Sequence, residues 1–216
     1  MAARTALTEI AEEKLREVLP SFPRRDQALV LLGLHTGLRC RELLSITIDQ
    51  VWDGCEVRAK LQVARRSLKG GSGVQRRAVR SRVIPIHPLV AVALKDYIQE
   101  RLVEGPLDPG SPLFLSRQEG RALSPTQANR VVLTVIARAG LTDDGIWGTH
   151  SMRKTFARRI YENSQHDLNL TRVSLGHRYI STTQAYLGTD DEAAAAAILA
   201  LGPKSASAAN TVGAAA

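Results

Sequence analysis

The sequence predicts a mainly α-helical domain with one small antiparallel β-sheet, which is an α+β fold. Most of the chain carries apolar residues at helical spacing, bounded by helix start and stop signals. One stretch, residues 55–63, instead alternates apolar and polar side chains, as a half-buried strand does. The chain has 216 residues, 44% hydrophobic and 23% charged, a composition typical of a folded domain with a sizeable core.

Helical patterns cover most of the sequence. The predicted helices are residues 7–19, 28–34, 39–44, 89–102, 125–139, 149–163, 170–175, 181–187 and 191–201. The clearest start signal is Ser124, which is followed by a proline and, three residues on, by Gln127. We expect residues 1–202 to form one domain and the low-complexity residues 203–216 to be disordered.

The predicted sheet is a strongly basic hairpin. Its first strand is the alternating stretch, its turn is Gly70-Gly71-Ser72-Gly73, and residues 82–86 return. Seven cations and no acidic residue lie between the strand ends: Arg65, Arg66, Lys69, Arg76, Arg77, Arg80 and Arg82. This run favours contact with phosphates, although a solvated basic loop would give the same pattern.

The overall charge also indicates an anionic partner. There are 29 Lys and Arg against 21 Asp and Glu, a net charge of +8, which favours nucleic acid first and an anionic membrane surface second. The basic residues lie on strands and a loop, without the apolar face of an interfacial helix, so we expect no membrane partner. No apolar run approaches the roughly 18 residues of a membrane span.

Two cysteines exclude a disulfide scaffold and fit a reducing compartment.

Two short stretches carry possible anion chemistry before and within the hairpin. Thr36-Gly37-Leu38-Arg39 places an arginine at a helix start, where backbone N–H groups favour an anion. Glu42, three residues on, either braces Arg39 or faces water. Lys69 lies near the hairpin tip and, taken alone, also fits an ordinary surface lysine.

Two further stretches follow later in the chain. His150 and Arg153 share one face at the start of a helix, where the helix dipole, an imidazole and a guanidinium converge. A capping histidine and a solvated arginine are the alternative. His177 then lies on a turn after Gly176, and Tyr186 lies within the next helix, where a tyrosine can also serve packing alone.

Together the four stretches resemble the tyrosine recombinase (phage integrase) family. The resemblance covers residues 8–188 through TGLRxxEL, then VIPI after a basic hairpin, then HxxR, then LGHxxIxTTQxY. It implies a DNA breaking-and-rejoining catalytic domain and an enzyme that acts as a site-specific recombinase. It also implies that neither a metal nor another cofactor is needed, because a 3′-phosphotyrosyl bond conserves the energy for religation.

The resemblance implies a role for each matching residue. Arg39 and Arg153 would clamp the scissile phosphate, with Glu42 supporting, and Tyr186 would be the nucleophile. His150 would assist deprotonation or bind the phosphate, His177 would contact the phosphate, and Lys69 would protonate the leaving 5′-oxygen. The side chains expected to bind DNA are Arg65, Arg66, Arg76, Arg77, Arg80 and Arg82.

The resemblance also sets expectations for the whole protein. The partners would be double-stranded DNA and further copies of the chain, in a tetrameric synapse, and the location would be the cytoplasm of a prokaryote, at the nucleoid. Because the motifs begin by residue 36, we expect the family's N-terminal DNA-binding domain to be absent. A type IB topoisomerase and a non-catalytic DNA-binding remnant that regulates recombination remain as alternatives.

Overall fold

Helices form where the sequence places apolar residues at helical spacing. The computed structural model describes residues 4–63, 81–116 and 120–187, together with residue 199. Within these residues the helices are α1 (Glu9–Val18), α2 (Arg24–Thr36), α3 (Cys40–Leu44), α4 (Ile48–Val51), α5 (Pro88–Glu104), α6 (Pro125–Arg138), α7 (Thr149–Asn163), α8 (Leu168–Leu175) and α9 (Ile180–Leu187). Short 3-10 turns span Leu19–Ser21 and Thr142–Asp144. The predicted fold class is confirmed, and the predicted helix 191–201 and tail 203–216 lie outside the described residues.

The local start signals explain where these helices begin. The Ser124 hydroxyl accepts a hydrogen bond from the Gln127 N–H at 3.2 Å, and the Gln127 side chain accepts one from the Ser124 N–H at 2.9 Å. This reciprocal cap begins α6 as predicted. The Thr8 hydroxyl likewise accepts from the Ala11 N–H at 3.2 Å, so α1 begins at Glu9, two residues later than expected.

The described sheet has two antiparallel strands, β1 (Lys60–Val63) and β2 (Arg82–Pro85). The predicted first strand is too long, since β1 begins at Lys60. The Asp53 carboxylate accepts hydrogen bonds from the N–H groups of Cys55 and Glu56 and makes a turn there, after which Val57 forms an isolated antiparallel bridge with Trp52. In the register, Leu61 pairs with Ile84, and both side chains are buried. The sheet therefore presents one face to the core.

Helix α2 lies at the centre of the core and packs against α5 and α7. Gly33 permits the close approach of α7, since a Cβ there would lie 2.6 Å from the Met152 sulfur. Met152 is buried and immediately precedes Arg153. The close packing of α7 on α2 thus brings Arg153 beside the turn at the end of α2.

The last described helices bring the C-terminal motif back to the same place. The Asp167 carboxylate caps α8 by accepting from the N–H groups of Asn169 (2.7 Å) and Leu170 (2.9 Å). Helix α8 ends at Gly176, which has φ of 65°, a conformation that suits glycine. Both α8 and α9 pack on α7. Of the helices in the described ranges, none is long and apolar enough to span a membrane.

Candidate active site

The turn after α2 is built around a glycine. Gly37 has φ of 58°, and a Cβ at this position would overlap the Phe156 ring of α7. A side chain is therefore excluded twice, by the backbone conformation and by the lack of room. The turn places the Gly37 carbonyl beside α7 and Arg39 at the start of α3.

Arg39 is fixed by the carboxylate of Glu42. The Arg39 N–H donates to Glu42 Oε2 at 2.9 Å, and Arg39 Nη1 donates to Oε1 at 2.8 Å. Burial of Glu42 would raise the pKa of its carboxyl, but the hydrogen bonds and charge of Arg39 outweigh burial and hold the pKa below its ordinary value. Of the two alternatives for Glu42, the structure shows the brace. The Arg39 side chain keeps 31% of its surface exposed, so further donors remain accessible to a ligand.

Arg153 is almost fully buried, at 2% exposure, and among the described residues it donates to neutral acceptors. Its Nη1 donates to the Gly37 carbonyl, and its Nη2 donates to the Leu175 carbonyl and to His177 Nε2, both at 2.9 Å. In the described part of the chain Arg153 forms no salt bridge. Burial, with the Arg39 charge next, lowers the pKa of Arg153 to about 10, so the group is a cation at neutral pH. Its positive charge is available for an anionic ligand.

His177 is held as a neutral imidazole. Burial, and then the charges of Arg153 and Arg39, lower the pKa of His177 to about 4. Because Arg153 can only donate, His177 Nε2 must accept, and the imidazole proton lies on Nδ1. Nδ1–H then donates to the Thr183 hydroxyl at 3.0 Å. Both ring nitrogens are thus engaged within the protein, and His177 joins α7 to α9.

Tyr186 lies on α9, one helical turn beyond Thr183, with its hydroxyl buried beside the arginines. Its ring packs edge-on against His177, with ring centroids 5.6 Å apart, and lies 6.0 Å from Arg153 Cζ and 5.9 Å from Lys154 Nζ. The phenolic oxygen has no hydrogen-bond partner among the described residues. Burial raises the pKa of Tyr186, and the charges of Arg153 and Arg39 offset part of that rise. The group is therefore a neutral phenol whose buried oxygen is under the influence of the Arg153 guanidinium.

His150 lies in the first turn of α7 with an exposed side chain. Partial burial and the charges of Arg153, Arg39 and Arg4 lower its pKa. The positive charges of these three arginines therefore favour the neutral form of the His150 imidazole. This histidine lies at the solvent side of the site, whereas His177 lies inside it.

The predicted hairpin residues are only partly described. Lys69 and five of the arginines expected to bind DNA lie outside the described residues: Arg65, Arg66, Arg76, Arg77 and Arg80. Arg82 is described, as the first residue of β2, and its Nη2 donates to the Ser174 carbonyl at 2.5 Å. It therefore points into the protein, towards the turn that carries His177.

The structure brings together Arg39, Glu42, Arg153, His177 and Tyr186, with His150 at the margin. Sequence reasoning missed Thr183, which is fully buried whereas neighbouring Thr182 is exposed. The available signal was its spacing, three residues before Tyr186 on the same helical face. In the described ranges no group of three or more His, Cys, Asp or Glu side chains is placed to hold a metal ion.

The fold and this cluster define an α+β domain in which arginine side chains surround a buried tyrosine hydroxyl. A family model described as the phage integrase family matches residues 5–193. The chain belongs to the phage integrase family.

The curated relatives are recombinases. Tyrosine recombinase XerA of Pyrococcus furiosus is 30% identical over 183 residues, which cover 84% of this chain and 56% of that protein. Tyrosine recombinase XerC of Caldanaerobacter subterraneus subsp. tengcongensis is 29% identical over 183 residues, covering 85% and 46%. The chain thus spans about half the length of the curated relatives it matches.

Solved structures share the fold. A crystal structure of XerA recombinase matches with a TM-score of 0.70 at 23% identity, covering 92% of this chain and 65% of that one. The site-specific recombinase XerH, bound to a palindromic difH substrate in a post-cleavage complex, matches with a TM-score of 0.69 at 23% identity, covering 91% and 53%.

Proposed function

We propose that the chain is the catalytic part of a site-specific DNA recombinase that cleaves and rejoins DNA through a 3′-phosphotyrosyl intermediate. The observation that supports this most directly is the buried Tyr186 hydroxyl beside two guanidinium groups whose charge is not fully neutralised by Glu42. Family membership and the recombinase relatives support it over the topoisomerase and the DNA-binding remnant.

In the proposed reaction the Tyr186 oxygen attacks the scissile phosphorus. A P–O bond to Tyr186 forms, the bond from phosphorus to the 5′-oxygen breaks, and the electron pair of that bond leaves with the 5′-oxygen. His150 receives the phenolic proton, or, where His150 instead binds a phosphate oxygen, solvent water receives that proton. Lys69 gives a proton to the 5′-oxygen. Religation reverses these steps.

Arg39 and Arg153 stabilise the charge that develops on the phosphorane. Arg153 is already fixed by the Gly37 and Leu175 carbonyls, and Arg39 is fixed by Glu42, so neither has to reorganise when the charge develops. Both arginines therefore act as preorganised donors to the non-bridging oxygens.

In the protein without DNA, the role of His177 is to position other residues of the site. It bonds to Arg153 through one nitrogen and to Thr183 through the other, and so orients the arginine relative to the helix of the nucleophile. A direct contact between His177 and the phosphate, as the family resemblance implies, would require one of these bonds to be exchanged for the ligand.

The same proposal extends to partners and domain organisation. Double-stranded DNA is the substrate, with Arg65, Arg66, Arg76, Arg77 and Arg80 in contact with its phosphates. Residues 1–202 form the catalytic domain, several copies assemble on DNA as a tetrameric synapse, and the site of action is the prokaryotic cytoplasm.

The test is a covalent adduct. The protein is incubated in EDTA with duplex DNA that has a randomised centre, quenched with SDS, and compared with Tyr186→Phe and with a matched control, Tyr179→Phe, since Tyr179 is exposed on the same segment. We expect an adduct that survives SDS, is sensitive to protease, and disappears only in Tyr186→Phe. An adduct that persists in Tyr186→Phe contradicts the assignment of the nucleophile, and no adduct from the unaltered protein contradicts the activity of this chain.

Arg39→Ala separates chemistry from binding. We expect it to abolish the adduct while DNA affinity falls only modestly, because one exposed phosphate contact is lost among many. Equal loss of adduct and affinity would make Arg39 a binding residue only. Sequencing of the captured DNA identifies the site, and a substrate carrying two such sites distinguishes recombination from relaxation of supercoils.

A further inference from the structure

Three arginines hold the turn between α8 and α9 by its backbone. Each donates from its guanidinium to a different carbonyl in four consecutive residues. The pairs are Arg82 Nη2 with the Ser174 carbonyl (2.5 Å), Arg153 Nη2 with the Leu175 carbonyl (2.9 Å) and Arg172 Nη1 with the His177 carbonyl (3.0 Å). Cations at a helix C-terminus satisfy carbonyls that have no partner within the helix and oppose its dipole. The turn that carries His177 is thus fixed from three directions.

Arg82 is the member of this set that belongs to the sheet. It is the first residue of β2, and its side chain crosses to α8 and lies against Gly176. A Cβ on Gly176 would lie 3.0 Å from Arg82 Cδ and 3.1 Å from Nε. Glycine at 176 therefore serves the left-handed backbone and also leaves room for the arginine.

The second terminal nitrogen of Arg82 is available to the site. Its Nη1 is buried and has no hydrogen-bond partner among the described residues. Burial lowers the pKa of Arg82, and the charges of Glu42 and Arg39 act on it in opposite directions, which places the guanidinium within range of the central cluster. An exposed phosphate contact would not have this burial or these bonds.

We propose that Arg82 is a positioning residue that ties the returning hairpin strand to the turn carrying His177 and, through Thr183, to the helix of Tyr186. This inference rests on the proposed function. In the sequence, β2 follows directly on the segment that contains Lys69. Arg82 therefore links the strand next to Lys69 to the turn that precedes the helix of Tyr186. A displacement of β2 would be transmitted through the Arg82–Ser174 hydrogen bond and would shift the turn that carries His177.

The first test needs no DNA. Amide hydrogen exchange is measured by NMR for Gly176 and His177 in the unaltered protein, in Arg82→Gln, and in a matched control, Arg138→Gln, which removes an exposed arginine at the end of α6. We expect exchange at both amides to rise about tenfold in Arg82→Gln, relative to the amide of Leu32 in α2, and to stay unchanged in the control. Equal acceleration at Leu32 would indicate global loss of stability and overturn the proposal, as would no change in the turn.

The second test uses the randomised duplex at saturating concentration. We expect adduct formation to slow roughly ten- to a hundredfold in Arg82→Gln, while its DNA affinity matches that of Arg138→Gln. Arg82→Lys keeps the charge but not the planar fork, so we expect its affinity to match that of the unaltered protein and its cleavage rate to stay as low as in Arg82→Gln. Full recovery of cleavage with lysine would show that charge alone matters and overturn the proposal.

The two proposals fail in different ways. If the unaltered protein forms no adduct, the proposed function fails, and the exchange experiment still decides whether Arg82 holds the turn. If the adduct forms equally fast in Arg82→Gln and in the unaltered protein, the function stands and the positioning role is refuted.

Discussion

Acidification should destabilise the protein through His177. Burial, Arg153 and Arg39 lower the folded-state pKa of His177 to about 4, whereas an unfolded histidine titrates near 6.5. Between these values the unfolded state binds more protons than the folded state. The stabilising contribution of the neutral imidazole is therefore complete above about pH 6.5 and is lost as the pH falls towards 4.

The size of this loss follows from the two pKa values. With about 6.5 for the unfolded chain and about 4 for the folded one, lowering the pH from 7 to 5 reduces the free energy of unfolding by about 2 kcal/mol. The side chain is only 5% exposed, so solvent screening does not remove the effect. His35, whose pKa burial likewise lowers to about 4, adds a loss of the same sign.

The assay isolates His177 by comparison with His177→Gln, whose amide oxygen can accept from Arg153 and does not titrate. Urea unfolding is followed by the fluorescence of the buried Trp52 and Trp147 at both pH values. We expect the unaltered protein to lose about 2 kcal/mol more than the variant between pH 7 and pH 5, because the contribution of His35 cancels. Equal losses in the two proteins would refute the neutral, Arg153-bonded imidazole.

Two further predictions concern the backbone and the imidazole partner. Gly37→Ala should lower the free energy of unfolding by about 2–4 kcal/mol in urea, since its Cβ would overlap Phe156 at a positive φ and displace the carbonyl that accepts from Arg153. Thr183→Val should destabilise by about 1–3 kcal/mol and change the imidazole ¹⁵N shifts of His177, whereas Thr183→Ser should behave as the unaltered protein; unchanged ¹⁵N shifts in the valine variant would contradict the Nδ1–H tautomer.

The helices could be predicted from the sequence because their signals are local. The Ser124 cap and the glycine stops at 37 and 176 act within a few residues, so the elements that carry the motifs begin and end close to where the sequence places them. The alternation predicts a strand from residue 55, whereas β1 begins at Lys60, because the Asp53 carboxylate makes a turn at Cys55 and Glu56 and Val57 pairs with Trp52 instead. Pattern alone does not register that competition.

The site could be predicted only in part, since its cohesion depends on contacts distant in sequence. The motifs select Arg39, Arg153 and Tyr186, but nothing local indicates that Arg153 donates to a carbonyl 116 residues earlier in the chain. The same holds for Arg82. Its place in a basic run predicts a contact with DNA, and nothing local indicates that it also donates to the Ser174 carbonyl. A guanidinium can serve a phosphate or a carbonyl equally well, and only the fold decides between them.

The charge balance of the cluster explains why such an arrangement is tolerated before a ligand arrives. Two of its guanidiniums, Arg153 and Arg82, are bonded mainly to carbonyls, which satisfy their N–H groups without neutralising their charge. Glu42 is buried and compensates Arg39, and His177 is kept uncharged, so no further cation is added. Had His177 been charged, it could no longer accept from Arg153, and the buried positive charge would rise. The neutral imidazole thus lets the protein keep an unneutralised arginine next to Tyr186, which is the condition that the proposed attack on a phosphate requires.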